Sequence, residues 1–286
     1  MGRVLTAHRL VFRIDEPFNP RTRQWLPLDY PARHLDPQAP VVVADALRRS
    51  VARMLALRLA VPKGFDARTP KAILRDVRGV SRLLEAKLRQ ATLVVKDPTA
   101  NFLTSWLHRE FRMRPVVLVR HPCGNAAGYL RMGWSGMAHL DRPGAAAQLR
   151  PEDRDYIEPY RAALAGDPVL SAALDWRVTN AMLLGLRDSI PDMVVVRYED
   201  LADDPGGRFP ALARQLGLPW GPSSVATLDE LQGEALDQAE LGGRQHVMKR
   251  DPRAAAWSWR DRLSQSQIDE VMRHAGPLAA EVGYQA

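Results

Sequence analysis

Three short apolar runs in this sequence each end in a cation. Residues 92–95 lead into Lys96, residues 116–119 into Arg120, and residues 193–196 into Arg197. Runs of four apolar residues, rich in valine, suit strands buried on both faces of a parallel sheet. Open α/β sheets bind ligands beyond the carboxyl ends of their strands. A lone cation there is ordinarily a solvated side chain. Cations at neighbouring strand ends can converge on one anion and stabilise charge that develops on it. The chemistry this spacing offers is therefore recognition of a phosphate or sulfate group.

The elements that must position these residues follow from periodicity. Residues 2–10 read as a helix, with no start signal before it, and residues 10–14 as a short strand. Glu16-Pro17-Phe18-Asn19-Pro20 then interrupts regular structure, and residues 21–40 read as an ordered loop. Residues 41–59 form an amphipathic helix on Val43, Leu47, Val51, Met54, Leu55 and Leu59. A second helix is expected over 72–89. A helix carrying Phe102, Trp106 and Phe111 separates the runs at 92 and 116, so residues 92–119 read as a β-α-β unit. Further helices are expected at 123–132, 152–164, 170–188 and 209–216, with loops at 133–151 and 232–251. Ser264 and Gln267 form a capping box, with Leu263 and Ile268 as its hydrophobic staple, and Gly276-Pro277 is expected to end or break that last helix. The fold class is α/β with a mostly parallel sheet, in one domain over residues 1–286.

Composition narrows the chemistry. Forty Lys plus Arg against 33 Asp plus Glu give +7, which suits anionic ligands. The basic residues are scattered, with no basic block interleaved with aromatics, so a nucleic-acid surface is not expected. The single cysteine, Cys123, rules out an intrachain disulfide and a thiolate zinc site, and it reads as a small buried thiol. An intracellular, cytoplasmic setting fits best. No histidine pair has metal-ligand spacing, no metal is expected, and no run is long enough to span a membrane. A Gly-x-Ser-x-Gly elbow, a Gly-x-Gly-x-x-Gly loop and a Walker-type phosphate loop are not found in the sequence.

Several stretches together resemble the sulfotransferases that use 3′-phosphoadenosine-5′-phosphosulfate. Val116-Val117-Leu118-Val119-Arg120-His121-Pro122 is similar to the family's strand ending in Arg-x-Pro. Val195-Val196-Arg197-Tyr198-Glu199-Asp200-Leu201, with Asp204-Pro205 and Leu216-Gly217-Leu218-Pro219, resembles its Arg-Tyr-Glu-Asp-Leu segment. Trp259-Arg260, Leu263-Ser264 and Gly283-Tyr284 resemble its closing segment and final helix. Glu16 to Pro20 is similar to the Glu-Pro-Phe-Asn-Pro stretch that follows the phosphosulfate loop and its helix. The resemblance thus implies a P-loop-type three-layer fold with many flanking helices. It also implies that Met1 is an internal position, with the phosphosulfate-binding strand and loop upstream.

By this resemblance Arg120 binds the 3′-phosphate, Tyr198 lies near the nucleotide base, and Lys249 and Arg250 approach the 3′-phosphate from a late loop. Gly128 stands where the family usually has a serine that shares the phosphate. Lys96 matches the lysine that stabilises the transferring sulfuryl group. The usual histidine base is Pro98 here, which leaves Glu16 as the candidate base, with a structural carboxylate as the equally weighted reading. The implied reaction is sulfuryl transfer to a hydroxyl or amine of a small-molecule or carbohydrate acceptor. A nucleotide or small-molecule kinase and a catalytically inactive relative are the alternatives.

Overall fold

The valine-rich runs fold as strands, and the strands pair in parallel. In the computed structural model, which describes residues 1–19, 41–57, 70–134, 151–233 and 251–285, the chain order begins with α1 (Gly2–Leu5), β1 (Val11–Asp15), α2 (Val41–Leu55), α3 (Pro70–Leu88) and β2 (Thr92–Lys96). A 3₁₀ turn at Asn101–Leu103 leads into α4 (Thr104–Phe111), β3 (Val116–Val119) and α5 (Pro122–Met132). Then come α6 (Pro151–Ile157), a 3₁₀ segment at Glu158–Ala163, α7 (Pro168–Leu184), β4 (Val194–Arg197), α8 (Tyr198–Asp203) and α9 (Pro205–Gln215). The chain closes with α10 (Pro222–Gly233), α11 (Pro252–Trp257) and α12 (Gln265–Glu281). This is an α/β fold with parallel strands.

The β-α-β unit expected over 92–119 takes other partners. β2 pairs with β1, aligning Val11 with Thr92 and Asp15 with Lys96, while β3 pairs with β4, aligning Val119 with Arg197. The chain divides into two compact units. One comprises Met1–Leu103 with Phe209–Leu228, and the other Thr104–Arg208 with Asp229–Ala286. In the first, Val51 and Met54 of α2 are fully buried, and Val4, Ile14 and Phe18 nearly so.

The second unit is built around α7. Asp167 caps it by accepting from Val169 N and Leu170 N, both at 3.0 Å, with Pro168 at the first helical position. The helix expected over 170–188, carrying Leu174, Val178, Met182 and Leu186, runs over Pro168–Leu184 and is buried on nearly every side. Ala172 and Ala173 pack against Cys123, Ala126 and Ala127 of α5, and small side chains let the two helices approach closely. Trp176 and Leu183 join Val117 and Val119 of β3, together with Ala275, Ala279 and Tyr284.

The capping box at Ser264 and Gln267 is present, but α12 does not stop at Gly276-Pro277. Proline removes one helical hydrogen bond and crowds the preceding turn. Val271, Ala275 and Ala279 are fully buried, and that packing carries the helix on to Glu281. Three short helices were not expected: α8, which follows β4 with no intervening loop, α10 and α11. No described helix is long and apolar enough to cross a membrane, and no group of metal-ligating residues is found among the described residues.

Candidate functional site

Arg120 follows the last residue of β3, and the chain then turns directly into α5. A residue before proline is held extended, which suits His121 to the position just ahead of the helix. Its Nδ1 accepts from Cys123 N at 3.2 Å, so Nε2 carries the proton and donates to Gln285 O at 3.2 Å. The His121 ring stacks on Trp259, with centroids 4.5 Å apart, and meets Tyr284 edge-on at 5.1 Å. Burial first, then the nearby Arg260 and Arg120 charges, push the imidazole pKa down, against a partial opposing effect from the Gln285 carbonyl. It is held as a neutral structural group.

The Arg120 guanidinium lies along α5 over two glycines one helical turn apart. A Cβ at Gly124 would stand 3.0 Å from Arg120 Nε, and one at Gly128 would stand 3.8 Å from Nη1. Arg120 Nη2 donates to Ala255 O at 3.0 Å, and Trp176 Nε1 donates to Arg120 O at 2.8 Å. Among the described residues the buried Arg120 Nε has no acceptor, and neither does the indole N–H of Trp259 beside it. The Tyr198 ring faces the guanidinium, 5.3 Å from centroid to Cζ. A fixed guanidinium with N–H groups to spare, an adjacent aromatic face and a glycine floor can take a phosphate-sized anion next to a planar ring.

Behind this centre lies a buried carboxylate. Glu199, in the first turn of α8, is 2 % exposed. It accepts from His121 N at 3.0 Å and from the Tyr284 hydroxyl, which also donates to Val119 O at 3.0 Å. Desolvation and the Glu199 charge push the Tyr284 phenol pKa strongly up. These bonds tie the ends of β3 and β4 to the chain after α12. Glu199 was legible only as part of the Arg-Tyr-Glu-Asp-Leu stretch. An ionisable residue between two strongly structured neighbours was the available signal for it.

Arg197, expected to share an anion with its neighbours, is otherwise engaged. It pairs with Asp200 through Nε at 3.0 Å and through Nη2, and Nη1 donates to Gly283 O at 2.6 Å. Lys249 and Arg250 lie outside the described residues.

Glu16 and Lys96, 80 residues apart in sequence, meet in the first unit. The Lys96 ammonium contacts Glu16 Oε1, Asn19 Nδ2 donates to Glu16 Oε2 at 2.8 Å, and Glu16 N donates to Lys96 O at 2.7 Å. Glu16 adopts φ 45°, a left-handed conformation that costs a non-glycine residue about 1 kcal/mol or more and that clusters at functional sites. Asp97 holds this turn. It accepts from Phe18 N at 2.7 Å and from Thr99 N at 2.8 Å and Thr99 Oγ1 at 2.6 Å. Burial pushes its carboxyl pKa up, the hydrogen bonds work against that, and the Glu16 charge adds to it. Asp97 was missed, although Asp97-Pro98-Thr99 is the spacing of a side-chain-capped turn.

No family model matches the chain, and no curated protein matches it. It is similar in structure to a sulfotransferase domain from the curacin biosynthetic pathway, with a TM-score of 0.50 and 19% identity, over 97% of this chain and 92% of that one. A sulfotransferase domain from the Synechococcus PCC 7002 olefin synthase aligns over 99% of this chain and 90% of its own, with a TM-score of 0.44 and 17% identity. This chain has the fold of a sulfotransferase domain.

Proposed function

We propose that this protein transfers a sulfuryl group from 3′-phosphoadenosine-5′-phosphosulfate to a hydroxyl or amine. The observation that supports this reading is Arg120: a guanidinium fixed by Ala255 O, floored by Gly124 and Gly128, faced by Tyr198, and with its Nε–H left without an acceptor among the described residues. The donor's 3′-phosphate supplies that anion, and its adenine supplies a planar partner for an aromatic ring. The acceptor oxygen or nitrogen attacks sulfur, the bond from sulfur to the 5′-phosphate oxygen breaks, and the acceptor's proton passes to the Glu16 carboxylate. Lys96 neutralises charge on the sulfuryl oxygens and the leaving phosphate. Catalysis is then mainly positioning and electrostatic stabilisation. Lys249 and Arg250 are further candidates for the 3′-phosphate.

Calorimetry with adenosine 3′,5′-bisphosphate, 5′-AMP and ATP tests the reading. The bisphosphate should bind at least about tenfold tighter than the other two, about 1.4 kcal/mol, and Arg120→Ala should erase that preference. A preference for ATP, or a bisphosphate affinity indifferent to Arg120→Ala, would overturn it. With labelled donor, Lys96→Met should lower kcat with little change in bisphosphate affinity.

A further inference from the structure

Trp259 is 6 % exposed, and its indole N–H has no acceptor among the described residues. A buried indole ordinarily finds a partner for that proton. Trp176 donates to Arg120 O at 2.8 Å, and Trp257 donates to Asp203 Oδ1 at 3.1 Å. The Trp259 ring is not free to turn and find one. It stacks on His121 at an interplanar angle of 13°, and it shares a core cluster with Cys123, Ala126 and Leu263. The Arg260 guanidinium lies 5.5 Å from its centroid. His121 is itself held at both ring nitrogens. The direction of the indole N–H is therefore fixed by its packing.

The same indole edge borders Arg120. A Cβ on Gly124 would lie 3.0 Å from Arg120 Nε and 3.5 Å from Trp259 Cδ1, the carbon bonded to the indole nitrogen. Glycine at 124 thus leaves a notch beside two N–H groups, both buried and both without an acceptor among the described residues. The neighbouring acceptors are already occupied. Ala255 O accepts from Arg120 Nη2 and from Ser258 Oγ at 3.1 Å, and Arg120 O accepts from Trp176. Glu199 accepts from His121 N and from the Tyr284 hydroxyl. An ordered water that took both protons would still need acceptors for its own two. An oxyanion needs none. Two fixed donors beside filled acceptors suit a group that only accepts.

We infer that Trp259 is a second donor to the anion that Arg120 binds, its indole N–H and Arg120 Nε sharing one phosphate oxygen over Gly124. The inference rests on the donor reading for the identity of that anion, the 3′-phosphate. Residue 128, a glycine, offers no hydroxyl to the phosphate, and the indole supplies a donor from the segment after α11 instead. An indole N–H carries no charge and does not titrate, so it adds direction to the charge that Arg120 provides.

The test is Trp259→Phe, which keeps a ring to stack on His121 and removes the donor. Calorimetry on the full chain should show adenosine 3′,5′-bisphosphate binding about tenfold weaker, about 1.4 kcal/mol, with 5′-AMP binding unchanged. Trp257→Phe, whose indole donates to Asp203 instead, should leave the bisphosphate affinity as it was. In protein labelled with nitrogen-15 tryptophan, the indole resonance missing from Trp259→Phe should move downfield with bisphosphate and stay in place with 5′-AMP. If the variant does not fold, the unmutated chain decides: an indole resonance must respond to bisphosphate and not to 5′-AMP. A bisphosphate affinity within about twofold of wild type in folded Trp259→Phe, or indole resonances that ignore bisphosphate, overturns the inference. The two readings fail separately. A bisphosphate preference that needs Arg120 but not Trp259 sinks this inference alone. Bisphosphate binding no tighter than 5′-AMP, with the Trp259 resonance still moved by inorganic phosphate, sinks the donor reading and keeps the shared anion site.

Discussion

Serine in place of Gly128 should tighten binding of adenosine 3′,5′-bisphosphate. A Cβ at 128 meets nothing nearer than Arg120 Nη1 at 3.8 Å, an ordinary contact, so the side chain enters without moving the guanidinium. Serine is also the better helix former by roughly 0.5 kcal/mol, so α5 should be slightly stabilised. Its hydroxyl would stand beside Nη1, where it can donate to the same anionic oxygen. A hydrogen bond to a charged group contributes about 1.5–3 kcal/mol, less the fixing of one rotor. A net gain of about 1.4 kcal/mol corresponds to about tenfold in affinity. The matched control is Gly124→Ala. There the new carbon would lie 3.0 Å from Arg120 Nε, so the guanidinium must shift, and affinity should fall about tenfold or more. Calorimetry at one fixed salt concentration, with 5′-AMP as the ligand lacking a 3′-phosphate, reads both effects. Unchanged affinity in Gly128→Ser together with unchanged affinity in Gly124→Ala would refute the placement of the anion over these glycines.

Other expectations follow from the buried groups around the same centre. Tyr284→Phe removes the hydroxyl that serves Glu199 and Val119 O, and urea unfolding should show a loss of about 1.5–3 kcal/mol. A loss below about 0.5 kcal/mol would mean that the Glu199 carboxylate has other support. Because His121 has its pKa lowered in the folded protein, the unfolded chain binds the extra proton as pH falls below about 6.5. Its contribution to stability is therefore present above that pH and lost below it. The unfolding midpoint should drop between pH 7 and 5.5, and His121→Gln should flatten that part of the profile. Burial raises the Cys123 thiol to about 12, so iodoacetamide at pH 8 should leave it unmodified until the protein is denatured. Labelling of the native protein at the rate of free cysteine would contradict that burial.

What was legible in the sequence was whatever local chemistry decides. The valine runs at 116–119 and 193–196 had to be strands, and Ser264 with Gln267 had to start a helix, because β-branched stiffness and capping act within a few residues. Strand partners were not legible. β2 pairs with β1 across a separation of about 80 residues, and nothing near Thr92 specifies that choice. Arg197 illustrates a further limit. It carries the same strand-end signature as Arg120, yet Asp200, three residues on, takes its guanidinium. A strand-end cation is available for a ligand only if no nearby carboxylate claims it, and that depends on geometry rather than spacing.

The bond from Tyr284 to the carbonyl of Val119 has a consequence for how the molecule is made. The two residues are 165 positions apart, and His121 waits for Gln285 across 164. During synthesis β3 emerges long before residues 284 and 285, so the end of that strand is completed only when they dock. Long-range closure of this kind slows folding, because chain entropy is lost before the contact forms. Until then the strand end leaves the Val119 carbonyl and the Glu199 carboxylate without the phenol that joins them. A ribosome-stalled chain ending before residue 284 would carry β3, α5 and α8 but should not yet hold nucleotide.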